Sequence, residues 1–200
     1  MNKNFLLITL ILLVSSSAET KENINYFDAM DVFDLEWASD PQVSSDGEKI
    51  VYVRKSNDIM KDRVRSSLWR IAKDGRDHRH LHSGFKNSYA PRWSSDNKRI
   101  AFVSNSSGST QIYMHWVDTG ETAVISQLQE SPSSLSWSPN GKWLAFSMRV
   151  KNESQSLIKE RDKPDGASWA KKPITVTTTR YQYDGRGIVE PSYRHIFVVP

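Results

Sequence analysis

Three ten-residue stretches of the chain repeat one pattern of polar and apolar positions. They are Val43-Ser44-Ser45-Asp46-Gly47-Glu48-Lys49-Ile50-Val51-Tyr52, Trp93-Ser94-Ser95-Asp96-Asn97-Lys98-Arg99-Ile100-Ala101-Phe102 and Trp137-Ser138-Pro139-Asn140-Gly141-Lys142-Trp143-Leu144-Ala145-Phe146. Their starts lie 50 and 44 residues apart (43 to 93, then 93 to 137), the length of one four-stranded propeller blade. In each, an aromatic or β-branched residue ends a strand and a polar pair follows. Asp-Gly, Asp-Asn or Asn-Gly then supplies the positive-φ positions of a tight hairpin. The next strand runs into an apolar stretch such as Ile100 to Val103, suited to burial on both faces.

The rest of each unit recurs too. Leu68-Trp69-Arg70-Ile71 leads to an Asp74-Gly75 turn, and Ile112-Tyr113-Met114-His115 leads to Asp118-Thr119-Gly120. A short outer strand follows each time, Arg79 to Ser83 and then Thr122 to Ser126. Pro91 and Pro132 come just before the next strand, where no ladder donor is needed. The predicted fold is therefore all-β: an incomplete β-propeller of about three four-stranded blades over residues 37–200. The third blade is interrupted. Its second strand ends near Met148 and its third, His195-Ile196-Phe197-Val198, arrives after an insertion at about 149–190. Long insertions in repeat folds leave the stack at one rim and often serve recognition. The chain stops at Pro200, and three blades leave open sheet faces, so a truncated propeller is expected.

The first residues break the pattern. Lys3 is their only charge, Phe5 to Val14 is almost wholly apolar, and Ser15, Ser16, Ser17 and Ala18 are small. This is the plan of a signal peptide over 1–18, cleaved after Ala18, and it is short for a membrane span. It predicts a periplasmic or secreted protein with no stable membrane span after cleavage, and a lead-in over 19–36 before the propeller.

Composition then narrows the chemistry. There are no cysteines, which excludes disulfides, thiolate metal sites and cysteine nucleophiles. The 27 basic and 23 acidic side chains are interspersed, so the net charge of +4 makes no concentrated basic face for nucleic acid. His78, His80 and His82 alternate and would share one face of a strand. Three adjacent imidazoles suit metal ligation poorly without a carboxylate, so a polar outer strand is expected and no metal or cofactor is assigned. Gly185-Arg186-Gly187 lacks a following helix and reads as a turn, not a phosphate loop. Glu153, Glu160, Asp162 and Asp165 read as a solvated loop, with a substrate amino terminus as the sharper alternative. Trp93 and Trp137 read as core residues between blades.

The residues also resemble a known family. Asp40-Pro41-Gln42-Val43-Ser44-Ser45-Asp46-Gly47, with Phe27-Asp28-Ala29-Met30-Asp31-Val32-Phe33-Asp34-Leu35 before it, is similar to the opening blade of prolyl oligopeptidase-family serine peptidases. The insertion points to the acylaminoacyl peptidase and dipeptidyl aminopeptidase branch: Trp169-Ala170-Lys171-Lys172-Pro173, Arg180-Tyr181, Asp184-Gly185 with Gly187, and Arg194-His195-Ile196-Phe197-Val198-Val199. The resemblance covers residues 24 to 200. It implies a propeller that caps a downstream α/β-hydrolase domain and restricts access of peptide substrates to a Ser-His-Asp triad. No Gly-x-Ser-x-Gly elbow occurs in the 200 residues, so no catalytic residue is assigned. Arg180 and Tyr181 are the candidates for a substrate contact at the rim, because an arginine grips a carboxylate in bidentate fashion; strand-surface pairing is the plainer role. The rival to a peptidase's propeller is a non-catalytic binding module like the propeller of the Tol system.

Overall fold

The computed structural model describes residues 26–82, 87–152, 161–170, 176, 179–184, 187–189 and 192–200. A short 3-10 turn, Ala29–Asp34, is capped by Asp28, whose side chain accepts from the Met30 amide while Asp31 accepts from the Asp28 amide. Three antiparallel sheets follow. The first is β1 (Glu36–Val43), β2 (Lys49–Asp58), β3 (Arg63–Ala72) and β4 (Arg79–His80), in that order. The second is β5 (Ser88–Trp93), β6 (Arg99–Ser104), β7 (Gln111–Trp116) and β8 (Thr122–Val124). The third begins with β9 (Pro132–Trp137) and β10 (Leu144–Lys151). A two-stranded hairpin, β11 (Gln182–Tyr183) with β12 (Gly187–Ile188), then precedes β13 (Ser192–Val199), which returns to pair along the whole of β10. The expected blade order is thus present, and the three sheets do not close into a ring.

The middle blade explains why an unbroken apolar run suits this fold. Residues of a strand alternate between faces, and β6 sends Ile100 and Phe102 to the first blade but Ala101 and Val103 to the third. One seam holds Val51, Val53, Leu68 and Leu81 against Ile100, Phe102 and Tyr113. The other holds Ala101, Val103, Ile112 and Met114 against Leu135, Leu144 and Phe146. The outer strands are shorter than expected: β4 ends at His80 and β8 at Val124.

The hairpin turns take a different form from the tight two-residue type. Gly47, Asn97 and Gly141 have φ of 73°, 57° and 65°, while Asp46, Asp96 and Asn140 are not left-handed. Each turn closes by an amide donating back three residues, as from Gly47 to the Ser44 carbonyl at 2.9 Å. Ser44, Ser94 and Ser138 accept from the amides of Lys49, Arg99 and Trp143 and donate to Asp46, Asp96 and Asn140. Only one left-handed position is then needed per turn, which is why Asp-Asn serves as well as Asp-Gly.

Candidate functional site

The first strands of the three blades, β1, β5 and β9, lie side by side and form the innermost wall. Each carries a bulge at the same place. Ser39 pairs with Val53 and Gln42 with Val51; Tyr89 pairs with Val103 and Arg92 with Ala101; Ser133 pairs with Ser147 and Ser136 with Ala145. Two residues of the inner strand therefore oppose one aromatic residue of the next: Asp40-Pro41 faces Tyr52, Ala90-Pro91 faces Phe102, and Ser134-Leu135 faces Phe146. The first of each pair is left-handed, with φ of 48°, 53° and 55° for Asp40, Ala90 and Ser134. A bulged residue leaves the ladder and bends the strand. Hence Pro91 sits inside β5, fully buried, rather than ahead of the strand as its sequence position suggested.

The bulges aim polar groups along the wall. Arg92 Nη1 donates to Asp40 Oδ1 and Oδ2 at 3.1 and 3.0 Å and to the Pro91 carbonyl at 2.6 Å. Gln42 Nε2 donates to the same Asp40 carboxylate at 2.8 Å. Tryptophans then tie each blade to the one before it. Trp93 Nε1 donates to the Gln42 carbonyl and Trp137 Nε1 to the Arg92 carbonyl, both at 3.1 Å. Both indoles also pack against the apolar seams, as expected of core residues. The turns interlock in the opposite direction, each donating to the next blade: the Ser45 amide to Asn97 Oδ1 at 2.7 Å, and Arg99 Nη2 to the Gly141 carbonyl at 2.9 Å. Arg99 also lies over the Trp137 ring, 4.9 Å from its centroid.

At this end of the wall lies an open groove of about 360 Å³, lined by Gln42, Val43, Arg92, Trp93, Trp137 and Pro139 among others. It combines two indoles and a guanidinium in one lining. The Asp40–Arg92 pair was not singled out from sequence. Extending the repeat upstream would have found it, since Asp40-Pro41-Gln42 aligns with Ala90-Pro91-Arg92.

The other end of the wall is elaborated differently. There β1 begins, the β2–β3 hairpin turns at 59–62, and the insertion leaves β10 after Lys151. Arg180 and Tyr181 lie in that insertion, exposed, immediately before β11, so the fold does not bring them to the groove. Trp169, Tyr183 and Ile188 are exposed on the same connection. Asp162 and Asp165 are exposed too. Glu153, Glu160, Lys171, Lys172, Pro173, Gly185, Arg186 and the segment 1–18 lie outside the described residues.

The alternating histidines do not form a simple polar outer strand. His78 Nε2 is 2.7 Å from Tyr52 Oη and packs beside Trp69. His80 meets Trp69 edge-on at 5.5 Å and His82 at 5.7 Å, and His82 stacks on Phe102 at 4.9 Å. The chain thus turns inward after β4, carrying His82 into the seam while His78 and His80 stay with Tyr52 and Trp69. Among the described residues no group of three or more His, Cys, Asp or Glu is placed to hold a metal ion. Nor is any helix among them long and apolar enough to cross a membrane.

Comparison with known proteins fits this architecture. Residues 48–195 match the TolB beta propeller domain. An uncharacterized peptidase of Bacillus subtilis, YuxL, is 30% identical over 173 residues, covering 86% of this chain and 26% of the peptidase. Dipeptidyl-peptidase 5 of Porphyromonas gingivalis is 27% identical over 134 residues, 66% of this chain and 20% of that protein. The chain therefore spans about a quarter or less of these relatives. In structure, an uncomplexed acylaminoacyl peptidase of Pyrococcus horikoshii superposes with a TM-score of 0.60 at 17% identity, over 84% of this chain and 23% of that one. With three blades, their inner-strand bulges and a family match running from the first hairpin into β13, the chain belongs to the TolB beta propeller domain family.

Proposed function

We propose that this chain is the amino-terminal propeller portion of an exported serine peptidase acting on short peptides, and that it restricts what reaches a following α/β-hydrolase domain. The observation that carries this reading is the 30% identity to a peptidase over 173 residues, nearly the whole chain. Bond cleavage, by acyl-enzyme chemistry, belongs to the hydrolase domain. The propeller wall contributes exclusion: its bulged inner strands and interlocked turns make a rigid edge around which folded substrates cannot pass. Arg180 and Tyr181, exposed on the insertion, supply a guanidinium for a peptide carboxylate and a ring beside it. Residues 1–18 direct export, and cleavage after Ala18 leaves Glu19 as the first residue in the periplasm or outside the cell.

The rival reading, a propeller that binds a protein partner without any attached enzyme, draws on the TolB family match. Two measurements test the export and the division of labour. Amino-terminal sequencing of the protein recovered outside the cytoplasm should begin at Glu19; an intact Met1 would overturn export by cleavage. The purified 200-residue chain should not hydrolyse aminoacyl or acylaminoacyl nitroanilides. Turnover by the chain alone would contradict the division of labour.

A further inference from the structure

The seam between the first two blades holds two imidazoles that the functional reading does not use. His82 follows β4 and lies flat on Phe102 of β6, at 4.9 Å and 16° between planes. His80, paired with Trp69 on the other face of the first sheet, meets it edge-on at 5.7 Å. His115, on β7, is 2% exposed, and its Nδ1 is 2.9 Å from Thr122 Oγ1 of β8. Between them runs the apolar seam, with Leu81 beside His82 in the chain and packed with Leu68, Ile100 and Phe102.

The charges around this cluster are already biased. Arg70 of β3 and Arg79 of β4 both pair with Asp77, each at 2.8 Å. Tyr52 of β2 is engaged with His78, β6 contributes only Ile100 and Phe102, and β7 adds Tyr113 beside His115. Among these described neighbours one carboxylate faces two guanidinium groups, so each proton added to an imidazole meets net positive charge in a dry seam.

We propose that His82 and His115 form an acid-sensitive latch between the first and second blades, packed into the seam when neutral and forcing it apart when charged, with His80 adding charge from the first blade's other face. The electrostatics agree. Burial, with His80 and His115 adding to it, pushes His82 down to about 4. Burial also lowers His80, and burial together with Arg79 lowers His115. A depressed folded-state histidine means that the opened form binds more protons, so the seam weakens as pH falls from about 6.5 towards about 4. The second seam provides an internal control, because the histidine carried by the third blade, His195 of β13, is exposed rather than packed into it.

The test is hydrogen exchange on the full chain at pH 7 and pH 5, corrected for intrinsic exchange. Amides of 79–82 and 100–104 should lose protection by about tenfold or more relative to those of 144–147. His82→Leu should abolish that difference, and the milder His82→Gln should reduce it. Parallel loss across both seams, no loss at either, or an undiminished difference in both variants would overturn the latch. The comparison within the unmodified chain decides the matter even where His82→Leu fails to fold.

Discussion

Single residues decide how the blades lock, and two glycines in equivalent turns show how. Gly47 and Gly141 are both left-handed, so an alanine there costs about 1–2 kcal/mol in backbone strain. A Cβ at Gly47 would meet open space, whereas at Gly141 it would lie 2.8 Å from Ser95 Oγ of the neighbouring blade. Gly141→Ala should therefore lower the urea midpoint more than Gly47→Ala does; equal shifts would show that the turn-to-turn contact is unimportant. Trp137→Phe removes the donor to the Arg92 carbonyl and part of the ring packed on the seam, so the stability read from the urea midpoint should fall by at least the hydrogen bond's share, about 0.5–1.5 kcal/mol. The turn chemistry is legible in the sequence because it is local: serine, acid or amide, then Gly or Asn. The bulges are not, because left-handed Ala90 and Ser134 carry no residue-type signal and are held there by their neighbours.

Among the elements, the link from the second blade to the third is pinned by one side chain. Gln111 opens β7 and is 4% exposed. Its Nε2 donates to the Leu128 carbonyl and to Ser109 Oγ, both at 2.9 Å. Its Oε1 accepts from the Leu128 amide and from Ser126 Oγ, both at 2.8 Å. Gln111→Leu would leave both Leu128 backbone groups without these partners, at about 1–3 kcal/mol. The expected result is lower thermal stability with faster exchange at 124–128; unchanged exchange there would show that the amide is not the pin. Strand positions are legible in the alternating pattern, and the order of β10, insertion and β13 follows from the matching third-strand sequence. The histidines escape a sequence reading because alternation fixes a shared face only while the strand continues. Here β4 stops at His80 and the chain carries His82 into the seam.

At the scale of the molecule, the two outermost sheet faces differ from the buried seams. On β13, Phe197 and Val199 pack inward while Ile196 and Val198, on the opposite face, are 80% and 56% exposed. Contiguous apolar exposure of this kind promotes association. The isolated chain should therefore sediment with a weight that rises with concentration, and Ile196→Lys should reduce the effect; concentration-independent monomers would contradict it. In the longer peptidase proposed here, Arg180→Ala and Tyr181→Ala should raise KM for short peptides by up to about tenfold while leaving kcat nearly unchanged, about 1.4 kcal/mol of binding. A drop in kcat alone would remove the two side chains from substrate binding. The blade count is legible because the repeat is long and periodic, whereas substrate contacts are not, because they depend on how an insertion lies against groups far away in sequence.

The central proposal, a propeller that serves a hydrolase domain, is tested most directly by the coding sequence downstream of Pro200. YuxL is matched over only 26% of its length, so an open frame of about 400 or more further codons is expected. It should hold Gly-x-Ser-x-Gly between a strand and a helix, followed by Asp and His. A frame that ends within a few more blades, with no such elbow, would contradict the peptidase reading and leave a binding propeller in its place.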